Sequence, residues 1–284
     1  MSNFTSLHNA QNINAIIHIF AKKPIKELQS PTPYCIVLVG APGVGKTTQA
    51  SKYLHEMGLE YDNFYHVSLD SLVEKVKPYR NTTFRVYKQL TSNNIGLLNS
   101  IYLQTIKSHN KNFSLKATEN SRIKQIKMKQ SGGTKRKRSI KRSIKQNTPL
   151  KSLMELREEG FKHGVMNHVN IIYDTTLSIS KDKIRTDIMP IIEMSPVKYK
   201  IIVILVTADE DIIKNRIEKR QRNMISKQYI RSVNPKAITK LISQNEEAFE
   251  ISKKYFKSNN MGIYTPDDFE FIKIDNSTNV NNLK

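Results

Sequence analysis

Cysteine is almost absent from this chain. Cys35 is the only one in 284 residues, which excludes an intramolecular disulfide, and its place in an apolar run fits a reducing, intracellular setting. With one cysteine and seven scattered histidines, no zinc-ligand spacing exists either. Long apolar runs are also missing, and none reaches the roughly 20 residues that a helix needs to cross a bilayer. Ala15 to Ala21 is apolar but too short for a signal segment, and His18 interrupts it. A soluble, cytoplasmic protein is the expectation. Hydrophobic residues make up only 38% of the chain, yet its length suffices to bury a sizeable core in one domain with insertions. There is no internal repeat.

Negative charge is the other scarcity. Lys and Arg number 46 against 25 Asp and Glu, for a formal charge of +21. The excess is local. Between Lys111 and Gln146, thirteen Lys and Arg face a single acid, Glu119, so this segment carries +12 and the rest of the chain +9. Its centre, Ser131 to Lys145, has few apolar residues and no aromatics, and such a sequence buries too little surface to offset its ordering entropy. A loose or disordered basic insertion over 111–146 is expected. Its cations can neutralise nucleic-acid phosphates in a salt-dependent, sequence-independent way. KRKRSIKR from Lys135 to Arg142 also reads as a nuclear-localisation patch. A solvated loop accounts for the same charge.

Against these absences stands one complete motif. Gly40-Ala41-Pro42-Gly43-Val44-Gly45-Lys46-Thr47 fills the phosphate-loop pattern GxxxxGK[ST], and Thr48 follows it. The apolar run Tyr34 to Val39 precedes it as a strand, and Thr47 to Met57 continues as a helix. Glycines let the backbone wrap an anion with its N–H groups turned inward, and the helix presents its positive end to the same anion. Lys46 can reach the terminal phosphates of a nucleoside triphosphate, and the Thr47 hydroxyl can bind Mg²⁺.

The organisation around the motif is regular. A helix is expected over Asn9 to Lys22, then a connector marked by Pro24, Pro31 and Pro33, so that 1–33 precede a core domain over 34–276 and a short tail over 277–284. Further strands are expected at Phe64–Leu69, Val169–Tyr173, Tyr199–Val206 and Phe269–Ile274. Helical patterns fill Thr83–Ser108, Leu150–His168, Lys181–Glu193 with a break at Pro190, Asp209–Arg222 and Lys236–Phe256. Alternating helices and apolar strands define an α/β fold, a phosphate-loop NTPase sandwich of three layers. It has a mostly parallel five-stranded sheet, a helical lid and the basic insertion.

Open parallel sheets bind ligands beyond the carboxyl ends of their strands. Asp70, Asp174 and Asp275 stand at three such ends, beside the phosphate loop at a fourth. Asp70 fits a general base that takes the proton of an attacking hydroxyl, and Asp is also a favoured helix cap. Asp174 fits a Walker B aspartate holding Mg²⁺ beside Thr47, or a turn residue. Arg216, Arg220 and Arg222, with Arg231 beyond, form an arginine-bearing lid whose cations can stabilise transferring phosphate, or a solvated basic face. Asp275 and Asn276 can frame the nucleotide base. Arg80 and Arg85 are weaker candidates for a substrate phosphate. A GTPase should carry an NKxD motif, which is missing. An AAA motor should carry paired acids at the Walker B position, where Asp174 is followed by threonine.

The phosphate loop, the strand running into Asp70, VNIIYDTT (Val169 to Thr176), the strand before TADEDIIKNRIEKR and the lid together resemble the P-loop kinases. Within them the chain is most similar to the zeta-toxin-like group, with polynucleotide and nucleoside kinases as neighbours. The resemblance covers roughly Tyr34 to Asn276 without the insertion. It implies a Mg²⁺- and ATP- or GTP-dependent kinase that phosphorylates a hydroxyl of a small-molecule or nucleotide-type acceptor. Lys46 and Thr47 would hold phosphates and Mg²⁺, Asp70 would match the catalytic aspartate, and Arg220 and Arg222 would act from the lid. The family often places an arginine three residues past that aspartate, where this chain has Val73. Zeta toxins tend to carry Glu-Gly-Thr where this chain has Asp174-Thr175-Thr176. A polynucleotide kinase, or a nucleic-acid-associated NTPase using the insertion, is the alternative.

Overall fold

A computed structural model describes residues 13–76, 79–81, 83–84, 95–107, 152–177, 181–225, 233 and 237–277. The basic insertion, Arg85, Arg231 and the 278–284 end of the tail lie outside the described residues, as does the side chain of Arg222. The sheet contains five strands, β1 Tyr34–Val39, β2 Tyr65–Val67, β3 Ile171–Thr175, β4 Lys200–Thr207 and β5 Phe269–Asp275. Their order is β2-β3-β1-β4-β5, and every pairing is parallel. The sheet, expected to be mostly parallel, is parallel throughout. The principal helices are α1 Ile13–Phe20, α2 Lys46–Glu56, α3 Leu69–Lys75, α4 Ile95–Lys107, α5 Leu153–Met166, α6 Glu210–Ile225 and α7 Ile238–Phe256.

Side chains alternate across the strands and build two cores. Cys35, Val37, Val39, Ile171, Tyr173, Ile201, Val203 and Leu205 face the layer containing α1, α3, α4 and α5. Ile36, Leu38, Ile172, Ile202, Ile204 and Val206 face the layer with α2 and the Ile213–Ile217 stretch of α6. β1 and β4 are covered on both sides, which is why their sequences read as unbroken apolar runs. Cys35 is free and fully buried, and burial pushes its thiol pKa up, so the residue is inert packing.

Element boundaries moved where local chemistry intervened. β2 stops at Val67, because Ser68 is extended and Leu69 already begins α3. Asp70 is thus the second residue of a helix, neither a strand end nor the cap. β3 runs through Asp174 to Thr175, so Asp174 lies within the strand. Over Lys181–Glu193 the expected break takes the form of a π-helical turn at Ile184–Ile188 that hands over to Met189–Ile192. Pro190 has no N–H to donate, and the bonding register shifts just before it. α5 starts at a capping box in which Ser152 and Glu155 satisfy each other's backbone N–H groups.

α5 sits close to its neighbours because two of its core positions are glycine. A Cβ on Gly160 would lie 2.5 Å from the Phe20 ring and 2.8 Å from Ile16, and one on Gly164 would lie 2.9 Å from the Tyr65 ring. Gly160→Ala improves helix propensity by about 1 kcal/mol but overpacks the α1–α5 contact. Overpacking costs typically about 1–3 kcal/mol. The expected net effect is a urea midpoint lower than that of the wild type with an unchanged m-value.

Candidate active site

The phosphate loop sits at the carboxyl end of the central strand β1 and turns directly into α2. Gly43 and Gly45 both take φ near +89°, a left-handed conformation that costs glycine little. Space imposes the same choice. A Cβ on Gly43 would stand 2.8 Å from Ile217, and one on Gly45 would stand 2.5 Å from the amide nitrogen of Asn276. The first turn of α2 carries no acidic residue, so its N–H groups and the helix dipole remain a ready anion site.

Buried polar bonds hold the loop from behind. The Asn276 amide donates to the Val44 carbonyl at 2.7 Å and accepts from Gln49 at 2.7 Å. The Arg216 guanidinium donates to the same Val44 carbonyl and to the Asn276 carbonyl, both at 3.2 Å. The structure therefore places Asn276 beneath the loop, and it fixes Arg216 there as a brace. Asp275 is exposed, and its carboxylate accepts from the Ser277 backbone and hydroxyl, which lowers its pKa. Neither Asp275 nor Asn276 lines the cleft.

In front of the loop lies a cleft of about 440 Å³. One wall is the loop with Lys46, Thr47 and Thr48, together with Arg216 and Arg220 of α6; the opposite wall is Ser68, Asp70, Ser71 and Glu74 around α3, Tyr102 of α4 and Arg157 of α5. Asp174, Thr175 and Thr176 form the floor. Asp70, Lys46, Asp174 and Arg220 are thus brought to one cavity. Arg80 is exposed and does not line the cavity.

Lys46 donates to the Gly40 carbonyl at 2.9 Å and pairs with Asp174 at 3.6 Å. Asp174 shares the parity of Ile172, which turns it toward the α2 layer. Burial, with Asp174 nearby, pushes the Tyr61 hydroxyl pKa up to about 12, an effect that Thr47 offsets in part. His66 stacks edge-on against Tyr61 at 4.2 Å, and burial lowers its pKa, so it sits there as a neutral support. Among the described residues no cluster of three His, Cys, Asp or Glu could hold a metal. Thr47 and Asp174 offer a hydroxyl and a carboxylate. Hard oxygen donors of this kind, few in number, suit Mg²⁺, which keeps several of its waters.

Across the cleft, Tyr102 donates its hydroxyl to Asp70 at 2.6 Å. Its ring packs edge-on against Tyr79, centroids 6.3 Å apart. Tyr102, Glu74 and Arg157 are the site residues that sequence reading missed. Glu74 carried a signal, since it lies one helical turn beyond Asp70 on the same face. Tyr102 and Arg157 reach the cleft only through tertiary packing.

The fold and the loop define a protein of the P-loop, kinase-like class. The family model for the zeta toxins matches residues 18–122. That stretch holds the phosphate loop, Asp70 and Tyr102 but covers less than half of the chain. Over it, the chain is zeta-toxin-like. A solved structure from the PezAT chromosomal toxin-antitoxin system of Streptococcus pneumoniae covers 89% of this chain and 97% of its own, at 12% identity and a TM-score of 0.36; a likeness of that size carries no argument about function. No curated protein matches. Among the described residues no helix is long and apolar enough to cross a membrane.

Two outcomes test the geometry. Gly45→Ala forces a Cβ into Asn276 and abolishes nucleotide binding, measured by calorimetric titration, while the fold persists by circular dichroism. Tyr102→Phe removes the hydroxyl that donates to Asp70 and lowers kcat by roughly tenfold at unchanged KM for nucleotide, the signature of a lost positioning contact.

Proposed function

We propose that the chain is a Mg²⁺-dependent kinase that moves the terminal phosphate of ATP or GTP to a hydroxyl of a small-molecule or nucleotide-type acceptor. The observation that carries this reading is that Asp70 lines the same cleft as the phosphate loop, from α3.

The loop backbone and the first turn of α2 bind the phosphates, and Lys46 swings from the Gly40 carbonyl onto the terminal ones. Thr47 and Asp174 hold Mg²⁺, which when bound neutralises phosphate charge. The acceptor hydroxyl lies against Asp70, which takes its proton as the oxygen attacks the terminal phosphorus. A bond forms between that oxygen and phosphorus, the bond to the β-phosphate oxygen breaks, and the nucleoside diphosphate leaves. Arg220 is exposed at the rim and closes over the transferring group, with Arg222 as its neighbour on α6. Most of the catalysis is positioning and electrostatic stabilisation, so rigid loop bracing matters as much as the base.

The test uses purified protein, Mg²⁺ and γ-labelled ATP or GTP against nucleosides, nucleotides, 5′-hydroxyl oligonucleotides and nucleotide sugars. Label moves to one class of acceptor, and Asp70→Asn reduces that transfer by roughly 10²-fold or more. Phosphate release with no acceptor labelled, at a rate indifferent to Asp70→Asn, refutes the kinase reading.

A further inference from the structure

The acceptor wall of the cleft holds a cation that the proposed chemistry does not use. Arg157 projects from α5 into the cavity lined by Asp70 and Glu74. Its guanidinium carbon lies 5.2 Å from the centre of the Tyr173 ring. Tyr173 is buried in β3, so the stacking fixes the plane of the fork. The Arg157 Nε is itself buried and has no hydrogen-bond partner. Among the described residues no carboxylate pairs with this guanidinium, although Asp70 and Glu74 line the same space. The Nε is closed off from solvent, so what the side chain offers to the cleft it lines is the terminal N–H groups of its fork, which no described carboxylate holds.

The surroundings strengthen the demand for negative charge. Lys183 is only 7% exposed. Burial, and then repulsion from Arg157, bring its ammonium pKa down to about 8, with Asp187 offsetting part of the effect. Lys183 does not line the cleft, but its charge acts on Arg157 from behind it.

We infer that Arg157 recognises an anionic oxygen group, a phosphate or a carboxylate, carried by the acceptor molecule away from its reacting hydroxyl. This rests on the kinase reading of the cleft and specifies its acceptor class. A flat guanidinium with free N–H groups matches two oxygens of such a group at once. The cleft's two ends then divide the work. The loop takes the donor phosphates, Arg157 takes the acceptor's anion, and the hydroxyl between them meets Asp70. The neutral part of the acceptor lies against Glu74 and Tyr102.

The experiment has two arms. In the first, label transfer is compared for matched acceptors, glycerol against glycerol 3-phosphate and glycerate, and adenosine against its 5′-monophosphate. Wild type prefers the anionic member of a pair, and Arg157→Gln erases the preference by lowering kcat/KM for that member roughly 10- to 100-fold. Arg157→Lys restores part of it, and the neutral member is unaffected. Which anion is preferred separates phosphate from carboxylate. The second arm needs no turnover. With the loop filled by a non-hydrolysable imido analogue of ATP, the arginine Nε–H NMR signal that vanishes in Arg157→Lys is followed during titration. Glycerol 3-phosphate or glycerate shifts it, and glycerol leaves it in place. If neutral and anionic probes shift that signal alike, or neither does, the inference is overturned whatever the transfer assay shows. If the anions shift it but no acceptor is ever labelled, the anion site stands and the kinase reading falls.

Discussion

The Val44 carbonyl is the point on which the site depends. It accepts from the Asn276 amide and the Arg216 guanidinium together, so the middle of the phosphate loop is tied to the end of β5 and to α6. The Asn276 contact is buried and the Arg216 contact partly so, and a buried group left unsatisfied costs more than the bond itself was worth. The tie explains the glycines. Gly45 is small because Asn276 presses against it, and Gly43 because Ile217 does. A loop held in this shape aims Lys46 and Thr47 into the cleft before any ligand arrives. Preorganisation of that kind removes an ordering cost from binding and from the transition state.

The sheet does the remaining positioning. Strand order β2-β3-β1-β4-β5 puts the loop after the central strand, with Asp174 on its neighbour β3 and α3 following β2 on the far side of β3. In the proposed kinase reading, the layer containing α2 and α6 is the donor side and the layer of α3, α4 and α5 the acceptor side, with Lys46 as a cation of the first and Arg157 of the second. Asp70 stands between them, oriented by Tyr102 from a helix more than thirty residues away in sequence. Chemistry in the middle of the cleft thus draws on both layers, which no short segment of the chain could assemble alone.

Much of this was readable beforehand, for identifiable reasons. β1 and β4 were plain because strands buried on both faces leave continuous apolar runs. The phosphate loop was plain because its mechanics demand particular residues at fixed spacing. Edges were harder. β2 is three residues long, and the extended Ser68 turns the chain into α3 earlier than the apolar pattern of Phe64 to Leu69 implies. Arg216 was expected in the arginine-bearing lid beside Arg220. Its use as a brace depends on where β5 ends, which helix periodicity does not encode. Tyr102 is one of twelve tyrosines and Arg157 one basic residue among many. What distinguishes them is a carboxylate at 2.6 Å and a buried Nε without a partner, both products of tertiary packing.

The central claim is that donor and acceptor halves of the cleft are physically separate, with Asp70 belonging to the acceptor half. Equilibrium affinity for the imido analogue of ATP, measured side by side for wild type, Gly45→Ala and Asp70→Asn, addresses it most directly. The expected result is that Gly45→Ala loses nucleotide binding while Asp70→Asn keeps it within about twofold of wild type. Loss of nucleotide affinity in Asp70→Asn comparable to that in Gly45→Ala would contradict the division and assign Asp70 to the nucleotide site instead.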